Sequence, residues 1–166
     1  VPKPLLPLLD KTLLEHVVST VPENLVDQVV IAAGYMVEEM RQYFSSIELP
    51  FEVVILPEDE PMGTGGALKN CIDHVSGRFA CFNGDVVSSL DFSAMAAQHE
   101  RMKGIGTLAL WEVDEPTRFG IVGIDENNRV SRFKEKPTSD EVFSNLINAG
   151  SYILEEEIFE LMPEGK

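Results

Sequence analysis

The sequence predicts an α/β layered fold: a mostly parallel mixed sheet flanked by helices, with a β-hairpin insertion. Three observations carry that reading. Short apolar runs rich in β-branched residues, such as Val26 to Ala33 and Phe51 to Leu56, alternate with amphipathic stretches. These runs are of the buried type, as strands covered by helices on both sides must be. Two runs, 119–125 and 129–134, flank the tight turn Asp125-Glu126-Asn127-Asn128 and read as the hairpin.

The elements follow in order. Thr12 opens a helix, with Glu15 three positions on suiting a capping box and Leu14, Val17, Val18 and Val21 on one face. Val26 to Ala33 is a strand, Val37 to Phe44 a helix, and Phe51 to Leu56 a second strand. Gly66 to Asp73 has a helical pattern, and Phe79 to Phe82 forms a third strand. Asp91 caps a helix through Met102, closed by Lys103 and Gly104. Ile105 to Val113 is a long strand, then comes the hairpin, then a strand from Asn145 to Leu154 and a last helix from Glu155 to Met162.

At 166 residues the chain is one domain, able to bury roughly 70% of its unfolded surface. Its 44% hydrophobic and 25% charged residues are globular values. No apolar run approaches the roughly 20 residues of a membrane span, and none reads as a secretory signal. The formal charge is 13 − 28 = −15. A surface this acidic repels phosphate backbones and anionic bilayers, which argues against nucleic acid and membrane as partners. Any phosphate site must then be a local exception. Cys71 and Cys81 match no metal or redox spacing and read as unpaired core thiols, so cytoplasm is the default compartment.

In such sheets ligands sit beyond the carboxyl ends of strands, which singles out three loops. Pro61 to Leu68 places Gly63, Gly65 and Gly66 around Thr64 at a helix opening. Glycines there let backbone approach a flat ligand and leave helix N–H groups free to donate, though the segment also reads as a flexible helix entry. Asn83-Gly84-Asp85 follows a strand, and an aspartate so placed suits Mg²⁺; Asn-Gly is equally a turn signal. Glu135-Lys136-Pro137 ends the hairpin. Pro137 favours extended geometry at Lys136, which would point Glu135 and Lys136 to opposite sides, although the tripeptide also suits a surface strand end. His16, His74 and His99 sit in helical patterns with no nucleophile elbow and no metal spacing between them.

Taken in order, these segments resemble the sugar-1-phosphate nucleotidyltransferases, or nucleotide-sugar pyrophosphorylases. Pro2 to Pro7 reads PKPLLP and Glu60 to Leu68 reads EPMGTGGAL. Asn83-Gly84-Asp85, Phe119-Gly120-Ile121-Val122, Glu135-Lys136-Pro137 and Asn148-Ala149-Gly150-Ser151-Tyr152 complete the pattern across the chain. The resemblance implies a Rossmann-like fold and a core domain over 1–166. The family's N-terminal signature loop and second metal aspartate would lie outside it. It implies that Lys3 contacts the triphosphate, that Gly63, Thr64, Gly65 and Gly66 bind base and ribose, and that Asp85 ligates Mg²⁺. Gly120, Glu135 and Asn148 would hold sugar hydroxyls and Lys136 the sugar phosphate. The implied partners are a nucleoside triphosphate and a sugar 1-phosphate, and a homo-oligomer is compatible with the sequence.

Glu58, five residues before Gly63, bears on the base. A carboxylate can accept from both N1–H and the 2-amino group of guanine, whereas a pyrimidine offers one donor and carbonyls that repel it. Glu58 also reads as a solvated acidic turn. The stretch Glu58 to Gly66 is similar to the mannose-1-phosphate and heptose-1-phosphate guanylyltransferase branch, which favours GTP with mannose 1-phosphate or a related sugar. Three alternatives stand beside it. One is a thymidylyl- or uridylyltransferase acting on glucose 1-phosphate, and another is an inactive regulatory paralogue that binds nucleotide sugar. A glycosyltransferase of similar fold is the third, but it would place Asp-x-Asp where this chain has Asn83-Gly84-Asp85.

Overall fold

A computed structural model describes residues 1–163, so the last positions of the domain expected over 1–166 lie outside the described residues. The chain enters through a 3-10 turn at Lys3–Leu5 and a small antiparallel ribbon of β1 (Pro7–Leu8) and β2 (Lys11–Thr12). α1 (Leu13–Val18) starts at Thr12 as expected. Its capping box is complete: Thr12 N–H donates to Glu15 Oε2 at 2.9 Å and Glu15 N–H to Thr12 Oγ1 at 3.3 Å.

β3 (Gln28–Ala33), α2 (Val37–Ser45) and β4 (Glu52–Pro57) form a βαβ unit in which the strands pair in parallel from Gln28↔Glu52 to Ala33↔Pro57. Parallel neighbours need a crossover, and α2 supplies it. Met40 on its inner face joins Leu5, Leu14, Ile31 and Ala33 in a core cluster, so the N-terminal turn and α1 are anchored to the same apolar centre as the strands.

α3 (Gly63–Asn70) leads to β5 (Arg78–Phe82), α4 (Phe92–Met102) and β6 (Gly106–Glu112). The hairpin is β7 (Gly120–Ile124) with β8 (Val130–Glu135), and β9 (Leu146–Glu155) closes the sheet. β9 organises this half. It pairs antiparallel with both β5 and β6 through Tyr152, Ile153 and Leu154, so it lies between them, and it reaches β7 at Ile121↔Ile147. Ile121 and Val122 are fully buried, each worth about 1.5–3 kcal/mol of apolar transfer.

The mixed α/β layering is as expected, with differences in detail. Among the described residues the hydrogen-bonded parallel pair is β3–β4; β5 and β6 point the same way but are separated by the antiparallel β9. A buried apolar run carries no mark of its direction, which is why the sequence suggested a more parallel sheet. The glycine-rich turn is itself the first turn of α3 rather than its approach. The final helix is a 3-10 segment, Glu156–Leu161, whose Phe159 stacks on Phe79 with centroids 5.6 Å apart. Lys136 is not extended: its φ is +41°, in the left-handed region. Lys136 N–H is held to Phe119 O at 3.0 Å, and the capping box between Thr138 and Glu141 anchors the next turn, so the chain must swing between those fixed points.

At the start of β5, one buried ring pins α4 to the sheet. His99 is 1% exposed; its Nδ1 lies 2.8 Å from Thr107 Oγ1 of β6 and its Nε2 2.9 Å from Glu155 Oε1 of β9. Arg78 adds an ion pair to Glu155 and another to Glu100. The His99 hydrogen bond, followed by that from Arg78, holds the Glu155 carboxyl below its ordinary range. The unfolded chain therefore binds the proton more readily, and the stability Glu155 contributes is present above the ordinary carboxylate value near 4.5 and is lost as pH falls through the lower folded value. Urea titrations across acidic pH should show a steeper loss for the parent than for Glu155→Gln, and parallel profiles would contradict this linkage.

Candidate active site

The predicted site residues gather at the carboxyl ends of β4 and β5 and on one row of the β7–β9 sheet. Glu58 N–H donates to Ala33 O at 2.9 Å, which extends the β3–β4 ladder by one residue and sets Glu58 beside Gly34. Its Oε2 lies 3.4 Å from where a side chain on Gly34 would begin. Its Oε1 is buried and has no hydrogen-bond partner among the described residues. A carboxylate oxygen withdrawn from water without a donor is costly, so Glu58 stands ready to accept an N–H. The Cys71 thiol is pushed up first by burial and then by the Glu58 charge, so it stays a neutral thiol.

Gly63, at φ +67°, turns the chain into α3. Gly66 is buried against Met62, whose side chain occupies the space of a Cβ, whereas Gly65 faces open space and Thr64 is exposed. No side chain caps the first N–H groups of α3. The start of α3 is thus exposed and uncapped, and the buried Glu58 acceptor lies at the end of β4.

Asn83-Gly84-Asp85 leaves β5 and is clamped at Gly150. Asn83 N–H donates to Gly150 O at 2.8 Å, and its amide lies directly over Gly150, where any Cβ would overlap Asn83 Nδ2. The loop also runs near α1, since a Cβ on Gly84 would lie 3.9 Å from Leu14 Cδ1. Asp85 is then met by Lys3: Nζ stands 2.6 Å from Oδ2, with both side chains substantially exposed. Residues 82 positions apart thus form an ion pair at the carboxyl end of β5.

Gly120, Glu135 and Asn148 also come together. Gly120 pairs with Glu135 across the hairpin, and the antiparallel register of Ile121↔Ile147 puts Gly120 beside Asn148 on the other side. The Asn148 amide is oriented at both ends: Nδ2 donates to Tyr152 Oη at 2.6 Å and Oδ1 accepts from Gly150 N–H at 3.0 Å. Gly150, at φ +70°, therefore serves both groups, fixing Asn148 with its N–H and the Asp85 loop with its carbonyl. Lys136 is exposed at the end of the same row and makes no ion pair among the described residues. No hydrogen bond joins Glu58 to the Asp85 loop among the described residues.

The sequence identified Asn148 and Asp85 separately but not the contact that joins them. Asn-Gly after a strand looks like a turn whether or not its amide is clamped, and nothing local to Gly150 marks it as the partner. Tyr152 was noted only as part of a motif; its hydroxyl orients Asn148. Two hollows, of about 350 Å³ beside His99 and about 510 Å³ beneath α2, lie away from all these residues.

The residues present fit a magnesium ion in one particular manner. The Lys3 ammonium on Asp85 Oδ2 shows that this carboxylate accepts a cation. Among the described residues no group of three or more His, Cys, Asp or Glu could hold a metal alone. A lone carboxylate such as Asp85 could bind Mg²⁺ only together with substrate phosphate oxygens and water, a mode that ion does adopt.

Gly150→Ala tests the clamp. It adds a Cβ at a positive φ and onto Asn83, so it should cost about 2–4 kcal/mol in chemical denaturation. Gly65→Ala, at an open position, should change stability by less than about 1 kcal/mol. Equal costs would mean that Asn83 does not bear on Gly150.

Comparison with known proteins identifies the family. The family model described as "Nucleotidyl transferase" matches residues 1–165. The chain is 32% identical over 165 residues to the bifunctional protein GlmU of Methanococcus vannielii, covering 97% of this chain and 37% of that protein. It is 31% identical over 159 residues to the D-glycero-alpha-D-manno-heptose 1-phosphate guanylyltransferase of Campylobacter jejuni, covering 96% and 69%. The crystal structure of HddC from Yersinia pseudotuberculosis complexed with GMP-PN superposes with a TM-score of 0.79 at 26% identity, over all of this chain and 72% of that one. The chain thus spans little more than a third of the GlmU relative, and it belongs to the nucleotidyl transferase family.

Proposed function

We propose that this chain carries the catalytic core of a sugar-1-phosphate nucleotidyltransferase, which joins a nucleoside triphosphate to a sugar 1-phosphate and releases pyrophosphate. The observation that carries the reading is the clamp of Asn83 on Gly150, because it holds a cation-accepting carboxylate next to a row of sugar-type hydrogen-bonding groups. Family membership and the guanylyltransferase relative support it.

The chemistry asks little of the protein beyond positioning. An oxygen of the sugar phosphate attacks the α-phosphorus in line, a new P–O bond forms, and the bond to the bridging oxygen of the departing pyrophosphate breaks. The attacking phosphate is already an anion and the leaving group departs as one, so no proton need move and no histidine is required. The main obstacle is bringing two anions together on an acidic protein. Lys3 and Lys136 would neutralise charge on triphosphate and sugar phosphate respectively, while Glu135, the Gly120 backbone and Asn148 orient hydroxyls. Asp85 would hold Mg²⁺, which when bound neutralises phosphate charge and aligns the triphosphate. Lys3 would give up Asp85 for a triphosphate oxygen, leaving the carboxylate to hold the ion. An exposed ion pair is worth about 1 kcal/mol or less, so the exchange is cheap.

We infer further that the base is guanine and the sugar mannose or a related heptose. Glu58 has a buried carboxylate oxygen awaiting a donor, and guanine presents two adjacent donors. The named activity of the Campylobacter relative and the GMP-PN bound to the Yersinia structure support the same choice.

The test is pyrophosphate release by the full-length protein with each of the four common triphosphates, Mg²⁺ and mannose 1-phosphate, with and without a chelator. GTP should lead, and chelation should stop release. Glu58→Gln keeps size, removes charge and supplies a donor to a pyrimidine carbonyl. It should lower kcat/KM for GTP and raise it for UTP or dTTP, by about tenfold or more in the ratio. A parent that already prefers a pyrimidine triphosphate would overturn the guanine assignment and leave the reaction class standing.

A further inference from the structure

We propose that Phe133 is the apolar wall of the sugar subsite, a specificity-determining side chain that stacks against the C–H face of a pyranosyl 1-phosphate. The proposal rests on the reading that Gly120, Glu135 and Asn148 bind the sugar.

By strand alternation Phe133 and Glu135, two apart on β8, share a face, with Phe133 opposite Val122 and Glu135 opposite Gly120. Both lean over the same glycine. A Cβ on Gly120 would sit 2.7 Å from Glu135 Oε2 and 2.8 Å from Phe133 Cζ. The carboxylate oxygen and the tip of the ring therefore meet above Gly120, in the row that continues to Asn148. A molecule that hydrogen-bonds Glu135 from this face would meet the ring.

Beyond covering Gly120 and facing Val122, the Phe133 ring is left largely open. It is 52% exposed and stacks on no other ring among the described residues. On the opposite face of the hairpin Phe143 is used, with the Arg132 guanidinium 4.1 Å above its ring. An apolar ring left half in water costs free energy that its burial would recover. Its immediate neighbours are a carboxylate and, one strand away, an amide oriented at both ends. A flat apolar surface beside a few placed polar groups is the composition of a pocket for an amphipathic small molecule. A pyranose fits that description, with hydroxyls at its rim and C–H groups on its face. The aromatic face carries negative charge density that suits such C–H groups.

The measurement compares Phe133→Ala, Phe133→Tyr and the parent in the pyrophosphate-release assay, with far-ultraviolet circular dichroism checking the fold. Removing the ring should raise KM for the sugar 1-phosphate about tenfold, as expected for one aromatic contact, while KM for the triphosphate stays within about twofold. Phe133→Tyr should retain near-parent values. A binding readout independent of turnover uses the single tryptophan. In a Trp111→Phe background, Phe133→Trp should change fluorescence on titration with mannose 1-phosphate in the presence of a non-hydrolysable triphosphate analogue. An active parent with unchanged sugar KM in Phe133→Ala, or a Phe133→Trp fluorescence that does not respond to the sugar, overturns the proposal. So does a change in oligomeric mass with unchanged sugar KM, which would assign the ring to an interface. A parent without pyrophosphate release would instead remove the reading on which the proposal stands.

Discussion

The Asn83 amide lies directly over Gly150, and the arrangement of the site depends on that contact. β5 and β9 are sequentially distant strands that meet antiparallel, and their ladder ends at Phe82↔Ser151. Beyond it the Asp85 loop and the Asn148 segment would be free to move apart. Asn83 N–H to Gly150 O carries the pairing one step further, and the absent side chain of Gly150 admits the Asn83 amide. The same residue, through its N–H, orients Asn148. One glycine at a positive φ therefore sets the spacing between the Asp85 loop and the Asn148 amide, and few other residues could occupy that backbone conformation against a packed amide.

Charge is the second constraint. On a chain of net −15, any site for an anion must concentrate the few cations locally. Lys3 rests on Asp85, and Lys136 stands exposed at the end of β8 in a strained turn. A left-handed non-glycine residue costs of order 1–3 kcal/mol, and such costs persist where the surroundings over-determine them, often at functional sites. The buried Glu58 oxygen is a second local cost, an acceptor without a donor among the described residues. By contrast the polar network around His99 is fully satisfied, sits at the far end of β5 roughly 17 Å away by strand rise, and belongs to the scaffold.

Much of this was legible in the sequence, for identifiable reasons. The capping box of Thr12 and Glu15, the Asp91 cap and the hairpin turn are local, and local chemistry determines them. The site residues were legible one by one through ordered motifs. Their assembly was not, because it is made of long-range registers: Gly120 between Glu135 and Asn148, Lys3 across to Asp85, Asn83 on Gly150. Lys136 shows a local rule being overruled, since Pro137 favours an extended predecessor but hydrogen bonds on either side of the turn impose the left-handed one. The direction of β9 was invisible for a simpler reason. Its alternation of buried residues is the same whether it runs with β5 or against it.

On the proposed reaction, both anions would be held at once across the Asn83–Gly150 junction and react directly, without a nucleotidyl-protein intermediate. The thiols offer no alternative nucleophile there, since Cys71 is raised by burial and the Glu58 charge and Cys81 to about 11, chiefly by burial. Exchange of labelled pyrophosphate into the nucleoside triphosphate measures this directly. With sugar phosphate or nucleotide sugar supplied, label should enter the triphosphate. Without either, the account predicts none, because a sugar must be present for pyrophosphate to leave or return. Steady incorporation of label by the protein and triphosphate alone would reveal a covalent intermediate and contradict the account.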